Sequence, residues 1–135
     1  MLGEMFAEDQ GKVTGIRVLP AEGQDPQVEV SFQASGQILG IDYTEFATYQ
    51  SALKPGGILR GQGQGIITTK DGELVTWTGE GVGKPTGKGS AASWRGSLFY
   101  QTSSQRLAKL NGICAVFEHE VDETGNAKSK VYEWK

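Results

Sequence analysis

The stretch Gly57-Ile58-Leu59-Arg60-Gly61-Gln62-Gly63-Gln64-Gly65-Ile66-Ile67 carries Gly57, Leu59, Gly61, Gly63, Gly65 and Ile67 at every second position. A second stretch repeats the device with Val75, Trp77, Gly79, Gly81 and Gly83. Residues two apart share one face of a strand, so two successive strands each present a face almost stripped of side chains. Glycine inside a strand costs about 0.5–1 kcal/mol relative to alanine. So many on one face point to strong curvature or to a group that approaches the backbone closely. A small closed or nearly closed barrel needs both.

Working outward, Lys70-Asp71-Gly72-Glu73 joins the two stretches, and Asp-Gly predicts a tight hairpin there. Lys54-Pro55-Gly56-Gly57 predicts the turn before them and Lys84–Gly89, with Pro85 and two glycines, the loop after. Trp94–Thr102 alternates, with Trp94, Leu98 and Tyr100 opposite Arg95, Ser97 and Gln101. Ser103–Asn111 is the one helical candidate, capped by Ser103 or Ser104, with Leu107 and Leu110 on one face and Gly112 to end it. Ile113–Val121 reads as a strand with Ile113, Ala115, Phe117, His119 and Val121 together; Asp122–Asn126 turns, and Lys128–Lys135 closes the chain with Tyr132 and Trp134 facing together.

Upstream, Gln27–Ala34 alternates cleanly, and Ser35-Gly36 is a turn signal. Gly11–Leu19 reads as a strand whose Val13, Ile16 and Val18 are spaced too irregularly to choose a face. Residues 1–10 read as a loose lead-in, although Leu2, Met5 and Phe6 could plug a barrel end. Residues 42–53 carry both signals: Tyr43, Thr44, Thr48 and Tyr49 favour a strand, whereas Phe46, Tyr49 and Leu53 have helical spacing. The strand reading is preferred. The sum is an all-β, single-domain, antiparallel up-and-down β-barrel of about eight strands with one short helix over residues 1–135, with a two-sheet sandwich as the alternative.

The 135 residues include 20 glycines and 4 prolines and carry a net charge of −3, which disfavours nucleic acid and anionic membrane surfaces as partners. No apolar run reaches the roughly 20 residues of a membrane helix, and Met1–Gln10 lacks the pattern of a secretory signal. A cytoplasmic location is expected. The single cysteine, Cys114, excludes an internal disulfide, and its apolar surroundings suggest a buried or half-buried thiol. No metal ligand spacing and no cofactor motif occurs. Gly79-Glu80-Gly81-Val82-Gly83-Lys84 fails the spacing of a phosphate loop, and Lys84, Lys88 and Arg95 read as a solvated basic patch.

Gly61–Gly65, Thr76-Trp77-Thr78-Gly79, Trp94-Arg95-Gly96-Ser97, Leu107–Gly112, Ala115–Glu118 and Tyr132-Glu133-Trp134-Lys135 together resemble a family of small uncharacterised bacterial proteins. The fold implied by that resemblance is the allene oxide cyclase-type, calycin-like barrel. It covers a little over half the chain and brings no catalytic residues with it.

Three functions follow as expectations. In the preferred one, a noncatalytic barrel binds a small, largely apolar molecule, with Trp77, Trp94, Tyr100, Phe117 and Tyr132 as its wall and His119 as a polar contact. In the second, an isomerase or cyclase resembling allene oxide cyclase moves a proton with His119 or Glu80. In the third, the interior is filled and the outer surface, with Glu118 and Glu120, meets a partner. Edge strands of an incompletely closed barrel would also let copies pair, so a homo-oligomer is expected.

Overall fold

The hairpin cues of the sequence recur as turns in the computed structural model, which describes residues Met1–Lys135. The strands are β1 (Leu2–Glu22), β2 (Asp25–Ile38), β3 (Ile41–Lys54), β4 (Ile58–Thr69), β5 (Leu74–Pro85), β6 (Ala92–Thr102), β7 (Cys114–Val121) and β8 (Asn126–Trp134). Each pairs antiparallel with its neighbour in sequence, and β1 pairs with β8 to close the barrel. A two-sheet sandwich is thereby set aside, as is the incompletely closed barrel that would leave edges for pairing between copies.

Several local expectations change. Residues 2–10 are no loose lead-in; they form the half of β1 that pairs with β8. The irregular spacing of Val13, Ile16 and Val18 has a cause: the register of β1 against β2 shifts between Val13 and Gly15. A bulge of that kind breaks the period-two pattern. Ser35-Gly36 is not a turn. The chain runs straight through it and reverses at Leu39-Gly40, both with positive φ, the conformation that suits a two-residue hairpin. Residues 42–53 are strand, with Tyr43, Glu45, Ala47 and Tyr49 inside and Phe46 61% exposed outside. The expected helix is only a 3₁₀ turn, Ala108–Gly112, to which Ser104 contributes its Oγ as acceptor for the Leu107 N–H at 3.3 Å. Cys114 is exposed at the start of β7 rather than buried.

Leu107 and Leu110 are fully buried and plug one end of the barrel, packed in a cluster with Ile38, Tyr43, Ile67, Val75, Tyr100 and Val131. No helix is long and apolar enough to cross a membrane.

The glycines decide how the interior is filled. Tyr49 lies directly opposite Gly63, Trp77 opposite Gly65, Trp94 opposite Gly83, Leu98 opposite Gly79 and Phe117 opposite Gly96 on neighbouring strands. At each of these glycines a Cβ would collide with that partner; at Gly83 it would stand 2.7 Å from Trp94 Cδ2, and at Gly96 2.7 Å from Phe117 Cε2. Side chains with the same volume on both strands would clash, so each large group needs a glycine across from it.

Candidate functional site

The rings leave a small cavity of about 80 Å³. Phe32, Tyr49, Trp94 and Phe117 meet His119 around one part of it, and Asp9, Tyr43, Glu45, Trp77 and Tyr100 border the rest. His119 stacks obliquely on Phe32 with ring centroids 5.0 Å apart and meets Tyr49 edge-on at 6.0 Å.

Strand register explains the polar members. Asp9 on β1 faces Ser129 on β8, and Ser129 faces His119 on β7, so the three form a row across three adjacent strands. On its other side Asp9 faces Gly36, where a Cβ would stand 2.7 Å from Asp9 Cβ. The glycine makes room for the carboxylate.

Tyr43 donates its hydroxyl to Asp9 Oδ2 at 2.6 Å, and Trp77 Nε1 donates to Glu45 Oε2 at 2.6 Å. Asp9 also stands beside Glu45 and opposite Ser129, and both help to lower its carboxyl against the effect of burial. Burial raises both carboxyl groups above their ordinary range. For Glu45 the neighbouring Asp9 charge adds to the rise, whereas donors from Tyr43, Glu45 and Ser129 steady the Asp9 carboxylate. Two like charges this close in an apolar interior are strongly disfavoured, which pushes Glu45, the more buried of the two, furthest toward its neutral form. Burial, followed by the charges of Asp9 and Glu45, also pushes the Tyr43 hydroxyl far up, so it remains a donor.

His119 Nδ1 lies 2.6 Å from Ser129 Oγ. With Asp9 opposite it on β1, Ser129 can turn its single proton toward that carboxylate and accept from Nδ1–H, which leaves the lone pair on Nε2. Burial lowers the His119 pKa to about 4, so the ring is neutral near pH 7 and its Nε2 carries a bare lone pair. That Nε2 is buried without a hydrogen-bond partner in the protein, and so is Trp94 Nε1. Trp94 meets the Tyr49 ring edge-on with centroids 5.5 Å apart, and burial pushes the Tyr49 hydroxyl up to about 12. One unpaired acceptor and one unpaired donor thus border the same small space. A buried polar atom left unpaired costs about 1–3 kcal/mol, so Trp94 Nε1 and His119 Nε2 are two polar groups that the chain itself does not satisfy.

Of the residues singled out from the sequence, Trp77, Trp94, Tyr100, Phe117 and His119 meet at this cavity. Tyr132 does not. It pairs with Val116 and belongs to a groove on the outer face, because the inward position of β8 falls on Val131. Glu80 carries an exposed side chain, and Glu120 pairs outside with Arg95 at 3.0 Å. Asp9, Glu45, Tyr49 and Ser129 were not singled out. Glu45 and Tyr49 share a period-two face with Tyr43, a signal hidden in the segment with mixed helix and strand spacing. Asp9 sits in residues read as a lead-in. No three His, Cys, Asp or Glu side chains converge in a metal-binding group.

No protein-family model matches the chain, and no curated protein sequence matches it significantly. Solved structures share its fold. A protein of unknown function from Clostridium acetobutylicum superimposes with a TM-score of 0.83 at 11% identity, covering 98% of both chains. A β-barrel-like protein from Acinetobacter baumannii gives 0.83 at 12%, covering 100% of this chain and 96% of that one. An enzyme from Penicillium herquei gives 0.70 at 15%, covering 96% and 92%. At these identities the likeness is one of fold.

Proposed function

We propose that the barrel binds a small, largely apolar molecule that has one polar end, held between His119 Nε2 and Trp94 Nε1. The observation that carries this reading is the pair of buried polar atoms without partners in one ring-walled cavity. The ligand accepts a hydrogen bond from the indole and donates one to the imidazole, or meets the imidazole with an acidic C–H. Its size is limited to a handful of non-hydrogen atoms unless the rings move apart, well below the common 300–1,000 Å³ of drug-sized sites. Tyr132 is left out of the binding wall.

A cyclase or isomerase of the allene oxide cyclase type is the second reading. It is favoured by the row of Asp9, Ser129 and His119 across three adjacent strands, which a purely passive pocket does not need, and by a fold neighbour described as an enzyme. That description belongs to the fungal protein alone and supports this chain only by analogy of fold.

The test is native mass spectrometry of protein isolated gently from its own cells, beside the variants His119→Gln and Trp94→Phe. A small adduct retained by the wild type and lost from both folded variants is the expected result. An apo mass for the wild type, with tryptophan fluorescence unmoved by a library of small ketones, phenols and amides, would overturn the reading.

A further inference from the structure

We propose that the row Asp9–Ser129–His119 makes His119 Nε2 a general base that removes a proton from the carbon next to a carbonyl group, in a small carbonyl compound held in the barrel cavity. This deepens the binding reading and rests on it.

The difficulty for any base in this cavity is charge. An imidazolium formed here would be stripped of water among Phe32, Tyr49, Trp94 and Phe117, and such burial is why His119 resists protonation down to about pH 4. A lone buried histidine is therefore a poor base. The row across three strands removes the difficulty: His119 Nδ1 is 2.6 Å from Ser129 Oγ, and Ser129 stands directly opposite Asp9. As Nε2 gains the substrate proton, Nδ1 gives its proton to Ser129 Oγ, and Ser129 gives its own to the Asp9 carboxylate. The C–H bond breaks, a bond from Nε2 to hydrogen forms, and the electron pair goes to the carbonyl oxygen as an enolate.

The charge balance is even. Before the step, the Asp9–Glu45 pair carries one negative charge and the substrate none; after it, both carboxyl groups are neutral and the enolate carries the charge. One negative charge moves and none is created. The displaced charge is met by the unpaired Trp94 N–H, with the Tyr49 hydroxyl beside it as a second donor. Swapping the captured proton for one from solvent before it returns to the same carbon gives exchange, and delivering a proton to another carbon of the enolate gives an isomer. No oxidant, reductant or metal enters the balance.

The raised carboxyl groups fit this role. Burial raises the basicity of Asp9, which favours its taking a proton, and raises Glu45 further, since a pair this close disfavours two charges. The titratable groups facing the row are Asp9 from β1, Tyr43, Glu45 and Tyr49 from β3, Tyr100 from β6 and His119 from β7; Glu120 faces outward and acts on His119 only through its charge. His119 is the catalytic residue in this reading. Ser129 and Asp9 are positioning residues that act through it.

Cyclopentanone is a small, largely apolar ketone of six non-hydrogen atoms with exchangeable protons next to its carbonyl group. Incubated with the protein in heavy water and followed by proton NMR, those protons are expected to exchange about 10²-fold faster than with His119→Gln. Ser129→Ala is expected to lose about tenfold and Ser129→Thr, which keeps the hydroxyl, to recover most of it. Saturation transfer from protein to cyclopentanone reports binding separately in every sample. Binding without exchange above the His119→Gln level overturns the general-base proposal and leaves the binding reading standing. Exchange unaffected by Ser129→Ala overturns the relay. Neither binding nor exchange, at ketone concentrations that saturate other apolar cavities of this size, overturns both.

Discussion

The Trp77 indole occupies the space that a side chain at Gly65, its direct neighbour across the strands, would need. A Cβ on Gly65 would stand 2.7 Å from Trp77 Cζ2 and closer still to Nε1. The same nitrogen donates to Glu45, so a glycine on β4 governs where the proton of a buried carboxyl group rests.

Gly65→Ala is therefore expected to destabilise the barrel by about 1–3 kcal/mol, the usual range for overpacking a filled interior. Urea unfolding followed by tryptophan fluorescence measures this. A change within about 0.5 kcal/mol would mean that Trp77 shifts freely and that the ring is not held by its glycine.

Tyr43→Phe removes the hydroxyl that reaches Asp9 at 2.6 Å and leaves a buried carboxylate short of one donor. The expected loss is about 1–3 kcal/mol, since hydrogen bonds to charged groups lie at the upper end of the scale. Tyr49→Phe, whose hydroxyl does not touch the acid pair, serves as the control in the same denaturation series. Equal losses for both would remove the special standing of the Tyr43–Asp9 contact.

Stability should bend with pH in two opposed ways. His119 has a folded value of about 4 against an ordinary 6.5, so the unfolded chain binds more protons between these limits and stability falls as pH drops from about 6.5 toward 4. Asp9 and Glu45 have raised folded values, so between their ordinary values near 4 and the raised ones the folded chain binds more protons. Their contribution weakens the fold as pH rises through that window. His119→Gln is expected to flatten the acid side of the curve, and Glu45→Gln, which keeps both hydrogen bonds without an ionisable group, the alkaline side. Midpoints of urea unfolding across pH check both, and a variant curve parallel to that of the wild type would contradict the assignment.

The fold was legible where one strand face differed sharply from the other. Gly61, Gly63 and Gly65 against Arg60, Gln62 and Gln64 announced a curved wall, and Trp94, Leu98 and Tyr100 announced the faces that fill it. The rule that joins them was not legible, because which glycine stands opposite which ring depends on register, and register is a property of paired strands. The polar half of the site was hidden for a related reason. Tyr43, Glu45, Ala47, Tyr49 and Ser51 form an inward face of mixed polarity, while Phe46 on the outer face imitates a core residue. Hydrophobic patterning misreads a strand whose buried face mixes Tyr43, Glu45 and Tyr49 with small apolar residues. Tyr132 erred in the opposite direction: a large ring late in β8, taken for an inner wall, points out because Val131 takes the inward position.

Seven of the eight strand pairings join neighbours in sequence, and one, β1 with β8, joins the two ends of the chain. The first seven can zip up hairpin by hairpin; the last must gather almost the whole chain and carries the largest loop-closure entropy. Asp9 and Ser129 face each other across that last seam. A chain folded everywhere but there would have its ring-lined wall and its histidine, yet no path from His119 to a carboxylate. Completion of the fold and completion of the proton path are thus a single event.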